Sequence, residues 1–119
     1  MIKDIAFTGS AVTDMKRARA FYEGTLGLVP SEEMAGGKWV EYQVGSGMFA
    51  LTNISPARWT PSDQGTAIAF EVDELDAMVE TVKQSGARFY MEKMESPVCW
   101  MAIAYDPDGD KVVLHTRKT

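Results

Sequence analysis

The feature that most constrains this chain is an internal repeat. Val12 closes one short β-type run and Val72 closes another sixty residues on, in a chain of 119 residues, and an amphipathic helix follows each. In the second helix Leu75, Met78, Val79 and Val82 fall at i, i+3, i+4 and i+7, one apolar stripe, with Gly86 where such a helix would stop. In the first, Met15, Ala18 and Tyr22 make the stripe. Thr13 or Asp14 is available as N-cap, and Gly24 or Gly27 lies near the end. Strand signals follow in both halves, over 28–34, 38–44 and 48–53, then over 87–92, 98–105 and 111–115. Gly36-Gly37, Gly45-Ser46-Gly47 and Asp106-Pro107-Asp108-Gly109 supply turns between them. The pattern is βαβββ twice, an α+β fold. Module one spans 1–54, a linker with Pro56, Trp59 and Pro61 spans 55–64, and module two spans 65–119, the whole making one domain of ordinary size.

Composition removes several functions. Twelve basic and seventeen acidic residues leave a net charge of −5, without the basic footprint of a nucleic-acid binder. Cys99 is the single cysteine and His115 the single histidine, which excludes an internal disulfide, a thiolate-rich zinc site and most triad chemistry. No apolar run is long enough to cross a bilayer, and no apolar signal segment precedes the first strand, so no membrane partner and a cytoplasmic location are expected. Asp106-Pro107-Asp108-Gly109 has too few oxygen ligands for calcium and reads as a turn. Gly45-Ser46-Gly47 lacks the lysine and helix of a phosphate loop.

The segments Ala11-Val12-Thr13-Asp14, Ala20-Phe21-Tyr22-Glu23 and Leu26-Gly27-Leu28 carry a family resemblance. So do Ala67-Ile68-Ala69-Phe70-Glu71-Val72 and the Asp106 to Gly109 turn. Together they resemble the vicinal oxygen chelate superfamily of glyoxalases, bleomycin-resistance proteins and extradiol dioxygenases. The resemblance implies a curved sheet in each module with its helix behind, an incompletely closed, barrel-like arrangement with a concave cleft, and a homodimer. It also implies metal ligands on the first and last strands of each module. Those positions are Phe7, Ala50, Ala67 and Val113 here, and none has a ligating side chain. No metal and no cofactor are therefore expected.

Strand alternation predicts what replaces the metal. Stepping by two from Val113 places Lys111 and His115 on the concave face, and stepping from Ala50 adds Met48 and Thr52. Pairing through the last turn adds Cys99, Met101 and Ile103, and Phe7 joins from the first strand. Trp39, Glu41 and Gln43 complete the set, because Val40 and Tyr42 suit the helix side. This facing sends Thr8 and Ser10 behind the sheet, where their hydroxyls need partners. Glu41 reads as a cation-binding group, as a base if the cleft raises its pKa, or as an exposed strand residue paired to Lys111 or another basic group. His115 reads as an acid/base group or as a strand-end residue partly in solvent. Cys99 reads as a small buried hydrophobe, and Trp59 as an aromatic over the cleft or at a subunit contact.

The expected function is metal-free binding of a small molecule, sequestering an aromatic or cationic ligand as in the bleomycin-resistance branch, rather than catalysis. A glyoxalase-like lyase or isomerase using Glu41 and His115 as acid and base is the alternative. A structural or interaction module with a filled cleft is the second alternative. Elemental analysis of dialysed protein should find no stoichiometric zinc, nickel or iron; about one ion per chain would contradict the reading of Phe7, Ala50, Ala67 and Val113.

Overall fold

The computed structural model describes residues 1–118. Two compact units divide the chain, Met1–Pro61 and Ser62–Thr119. The first holds strand β1 (Thr8–Ala11), helix α1 (Met15–Arg19), and strands β2 (Glu32–Met34), β3 (Trp39–Val44) and β4 (Gly47–Thr52). The second holds β5 (Ile68–Glu71), α2 (Leu75–Gln84), β6 (Phe89–Glu95), β7 (Cys99–Tyr105) and β8 (Lys111–Arg117). The sheets have matching orders, β1-β4-β3-β2 and β5-β8-β7-β6. In each, the first strand runs parallel to the last, while the others are antiparallel neighbours. A βαβββ unit is thus used twice.

Local chemistry sets the helix limits. Asp14 is the N-cap of α1, its Oδ1 accepting the Arg17 N–H at 3.1 Å. The helix widens into a π-type turn over Ala20–Thr25. It ends where Leu28 N–H reaches the Tyr22 carbonyl and Gly27 N–H the Glu23 carbonyl, a pattern that needs the positive φ of 81° at Gly27. Gly86, with φ 87°, closes α2.

Alternation then divides each sheet into a core face and an open face. In the first unit Val40 pairs with Leu51 and Tyr42 with Phe49, and all four are buried with Ala18, Phe21 and Tyr22 of the helical segment. The Tyr22 and Phe49 rings lie 5.2 Å apart. Each such side chain, moved out of water, contributes roughly 1.5–3 kcal/mol. In the second unit Phe70, Leu114, Val112, Ala102 and Ala104 form the core face under Leu75 and Val82 of α2. Thr8 and Ser10 share the core side with Phe49 and Leu51, and both are half-buried.

Several element limits differ from the sequence reading, the last strand for example continuing past 115 to Arg117. The 28–34 run is a strand only over Glu32–Met34, because Leu28 is taken up by the helix terminus and Pro30 has no N–H to give a ladder. The 87–92 run starts later and continues to Glu95, with register shifts between Phe89 and Met91 and between Met91 and Met94. The first helix is a short α segment plus a π-type turn rather than one regular helix.

The last turn is built on carboxylates. Buried Asp106 accepts the N–H groups of Asp108 and Asp110 through Oδ1, each at 2.9 Å, and Gly109 has φ 88°. Asp110 Oδ1 accepts the Ser62 N–H at 2.7 Å, tying the start of the second unit to this turn. Its Oδ2 is buried without a hydrogen-bond partner among the described residues. Burial, with Asp106 and Asp108 nearby, pushes the Asp110 carboxyl up to about 6, against an ordinary 3.8. The folded chain therefore binds this proton more tightly than the unfolded chain does. Its stabilisation is complete below about pH 4 and is lost as pH rises through about 6. Asp110→Asn keeps the acceptor for Ser62 and should be more stable than the parent at pH 7 by roughly 1 kcal/mol after solvent screening. Melting curves at pH 4 and pH 7 check this: the gap should close at the lower pH.

Candidate functional site

The open face of the first sheet follows from its register. Trp39 pairs with Thr52, Glu41 with Ala50 and Gln43 with Met48, so these six share the face opposite the helix. Gly9 pairs with Ala50 on the same side. Phe7 folds over that glycine, its ring 3.5 Å from where a Cβ would stand, and packs edge-to-face on Trp39 with centroids 5.0 Å apart.

Within that face the groups are not equally available. The Trp39 indole N–H donates to Glu41 Oε2 at 2.9 Å, so the carboxylate is held beside the ring by a charge-assisted bond. Among the described residues no cationic side chain forms an ion pair with Glu41, whereas Lys111 lies over the Tyr90 ring, 4.1 Å from its centroid. Gln43 Nε2 donates to the carbonyls of Gly45 and Gly47 and so braces the β3–β4 turn. Thr52 is only 5% exposed, and its hydroxyl oxygen accepts the Ile54 N–H at 3.1 Å. Met48 is half-buried, and Trp59, in the loop after β4, is 52% exposed.

Behind the sheet a polar cluster holds the core face. The buried Tyr42 hydroxyl donates to Glu23 Oε2 at 2.7 Å, and Arg19 bridges Glu23 at 2.6 Å and Glu33 at 2.8 Å. Burial, then the Glu23 carboxylate, raises the Tyr42 phenol above its ordinary value, so it stays a donor at any ordinary pH. Sequence reading had not grouped these residues, since i,i+4 spacing marks only Arg19 with Glu23.

On the second sheet Lys111, Val113, His115 and Arg117 alternate along β8. Opposite them stand Tyr105, Ile103, Met101 and Cys99 of β7, with Ala69 and Glu71 on the other flank. His115 Nδ1 is 2.5 Å from Glu71 Oε1. Glu71 was not among the residues singled out from the sequence; its spacing of four from Ala67 matches the facing, but only the β5–β8 register places it opposite His115. The hydrogen-bond partner of His115 is thus Glu71, and that of Glu41 is Trp39. Cys99 is buried, its sulfur 3.2 Å from Ser96 Oγ in the tight turn before β7.

A repeated βαβββ unit whose first strand lies parallel to its last, with a helix on one face and a chemically varied open face on the other, defines the class of protein. The chain belongs to the glyoxalase/bleomycin resistance protein/dioxygenase superfamily, whose model matches residues 4–114. Among solved structures it is similar to TnmS3, an antibiotic-binding protein from Streptomyces sp. CB03234, at 21% identity and TM-score 0.80, covering 98% of each chain. It is also similar to a lactoylglutathione lyase from Agrobacterium tumefaciens, at 19% identity and TM-score 0.74, over 98% of this chain and 95% of that one. A third is a glyoxalase/bleomycin resistance protein/dioxygenase from Alicyclobacillus acidocaldarius, at 16% identity and TM-score 0.72, over 98% and 92%. These likenesses establish the fold. No protein of curated function matches the sequence.

The positions that would carry metal ligands do not fit a metal. Phe7 is a ring packed on Trp39, Ala50 is fully buried, and Ala67 and Val113 are apolar. Among the described residues no three His, Cys, Asp or Glu side chains are grouped to hold an ion. Among the same residues no helix is long and apolar enough to cross a membrane.

Proposed function

We propose that this chain is a metal-independent small-molecule-binding protein that holds a planar, cationic or neutral aromatic ligand on the open face of its first sheet. The observation that carries the reading is the Phe7–Trp39–Glu41 cluster: two aromatic rings in edge-to-face contact and a carboxylate fixed by the indole N–H. An aromatic surface with an adjacent carboxylate free of cationic partners suits a flat cation, which gains stacking, cation–π attraction and a charge-assisted contact together. Half-buried Met48 adds an adaptable apolar edge. The antibiotic-binding description of TnmS3 supports the same direction. Sequestration requires no acid/base step, and the Glu41 carboxylate held by the Trp39 indole serves it as a fixed anionic contact.

Titration with a planar cationic dye such as proflavine should quench tryptophan fluorescence and raise the melting temperature. Glu41→Gln should weaken that binding by roughly 1–3 kcal/mol while leaving a neutral aromatic of the same size little affected. Equal losses for both ligands, or no spectral change with either, would remove the reading.

A twofold dimer belongs to the same proposal. Each sheet has two edge strands, β1 and β2 or β5 and β6, and Ile2, Ile5, Val29 and Val98 are exposed apolar side chains. Such edges and side chains are suited to cover by a second copy. Sedimentation at micromolar concentration should give twice the 13.1 kDa chain mass; a clean monomer would contradict it.

A further inference from the structure

The second sheet carries a pair that the proposed binding face does not use. Glu71 is held at both oxygens: Oε1 by His115 Nδ1 at 2.5 Å, Oε2 by the Arg117 N–H at 2.7 Å. The Arg117 N–H, then the imidazole, keeps the carboxyl below its usual range, so it is ionised near neutral pH. An ionised carboxylate accepts hydrogen bonds and donates none. Nδ1 therefore carries the hydrogen of this contact, and in the neutral tautomer Nε2 is left as a lone-pair acceptor. The His115 side chain is 24% exposed, so this base is oriented yet reachable.

Its surroundings select a partner. Met101 lies directly across from His115 on β7, and the next row on the same face is Ala69, Val113 and Ile103. The lone pair thus stands at the end of an apolar strip. The charged and titratable groups on that face are Glu71 on β5, Arg117 and Lys111 on β8, and Cys99 and Tyr105 on β7, with Tyr90 of β6 and Arg88 just before it against Tyr105 and Lys111; α2 lies on the opposite, core face. An anion arriving at Nε2 meets the Glu71 charge, and a cation meets Arg117 two positions along β8. A neutral donor with an apolar body meets neither penalty.

We propose that the His115–Glu71 pair is a recognition site for an acidic neutral hydroxyl, a phenol or enol on a planar ligand, which donates to Nε2 while its ring lies on Met101, Val113 and Ile103. For a sufficiently acidic phenol the proton moves: the O–H bond breaks, its electron pair stays on oxygen, and an Nε2–H bond forms. The resulting imidazolium is neutralised by Glu71. All of these residues lie in the second unit, so the inference stands or falls separately from the Phe7–Trp39–Glu41 reading.

The probe is 4-nitrophenol, whose phenol and phenolate absorb at different wavelengths, titrated with the full chain at mildly acid to neutral pH. The parent protein should raise the phenolate fraction above that of free probe, and the rise should saturate. His115→Phe, which keeps a ring but no lone pair, should abolish it. Glu71→Gln should weaken the association roughly tenfold and move the phenolate profile to higher pH, because the imidazolium loses its counter-charge. Circular dichroism establishes that both variants fold; should His115→Phe not, Glu71→Gln decides alone. An unchanged spectrum with the parent chain, or a change that survives undiminished in the folded variants, would overturn the proposal.

Discussion

Each sheet in this protein packs its helix against one face, and much else in the structure follows from that packing. In the first unit Tyr22 packs on Phe49, and Phe21, Leu51, Val40 and Tyr42 are buried with them. Because side chains alternate strictly, this commitment also decides that Trp39, Glu41 and Gln43 face away from the helix. A slip of one residue in β3 would expose Val40 and Tyr42 and push the Glu41 carboxylate into the core. Losing the burial costs roughly 1.5–3 kcal/mol for each large side chain, and the stranded charge adds to it. The core therefore sets the geometry of the open face without touching it.

The core face is not purely apolar, and its polar members are paired. Tyr42 is fully buried, yet its hydroxyl reaches Glu23, which Arg19 in turn neutralises while also reaching Glu33. Helical segment, β2 and β3 are thereby joined by one chain of charge-assisted bonds. The second unit uses a different device at its own joint, where Asp106 organises the β7–β8 turn and Asp110 takes the Ser62 N–H. That device leaves a half-buried carboxyl with a raised pKa, a cost at neutral pH that the first unit does not carry.

Duplication preserved the frame and let the open faces diverge. Both sheets keep the same strand order and the same parallel pairing of first and last strands. Their open faces share little chemistry: Phe7, Trp39 and Glu41 on one, Glu71, His115 and Lys111 on the other. Helix packing constrains only the core side, so substitutions on the open side are limited by solubility and function rather than by folding.

The repeat, the two helices, their glycine ends, the Asp106 to Gly109 turn and the division of β3 and β4 into two faces were legible in the sequence, because each depends on residues near one another in the chain. Periodicity and turn chemistry are local. The 28–34 segment was misjudged since an apolar run does not reveal that a helix terminus and a proline have already used its backbone. What only the tertiary structure decided was which polar groups meet. Tyr42 and Glu23 are nineteen positions apart and His115 and Glu71 forty-four. The sequence identified His115 and Glu41 as groups of interest but not their partners, Glu71 and Trp39. Strand register between distant segments, and the rotamer each side chain takes once the core is packed, fix those contacts, and neither is written in the pattern of any one segment.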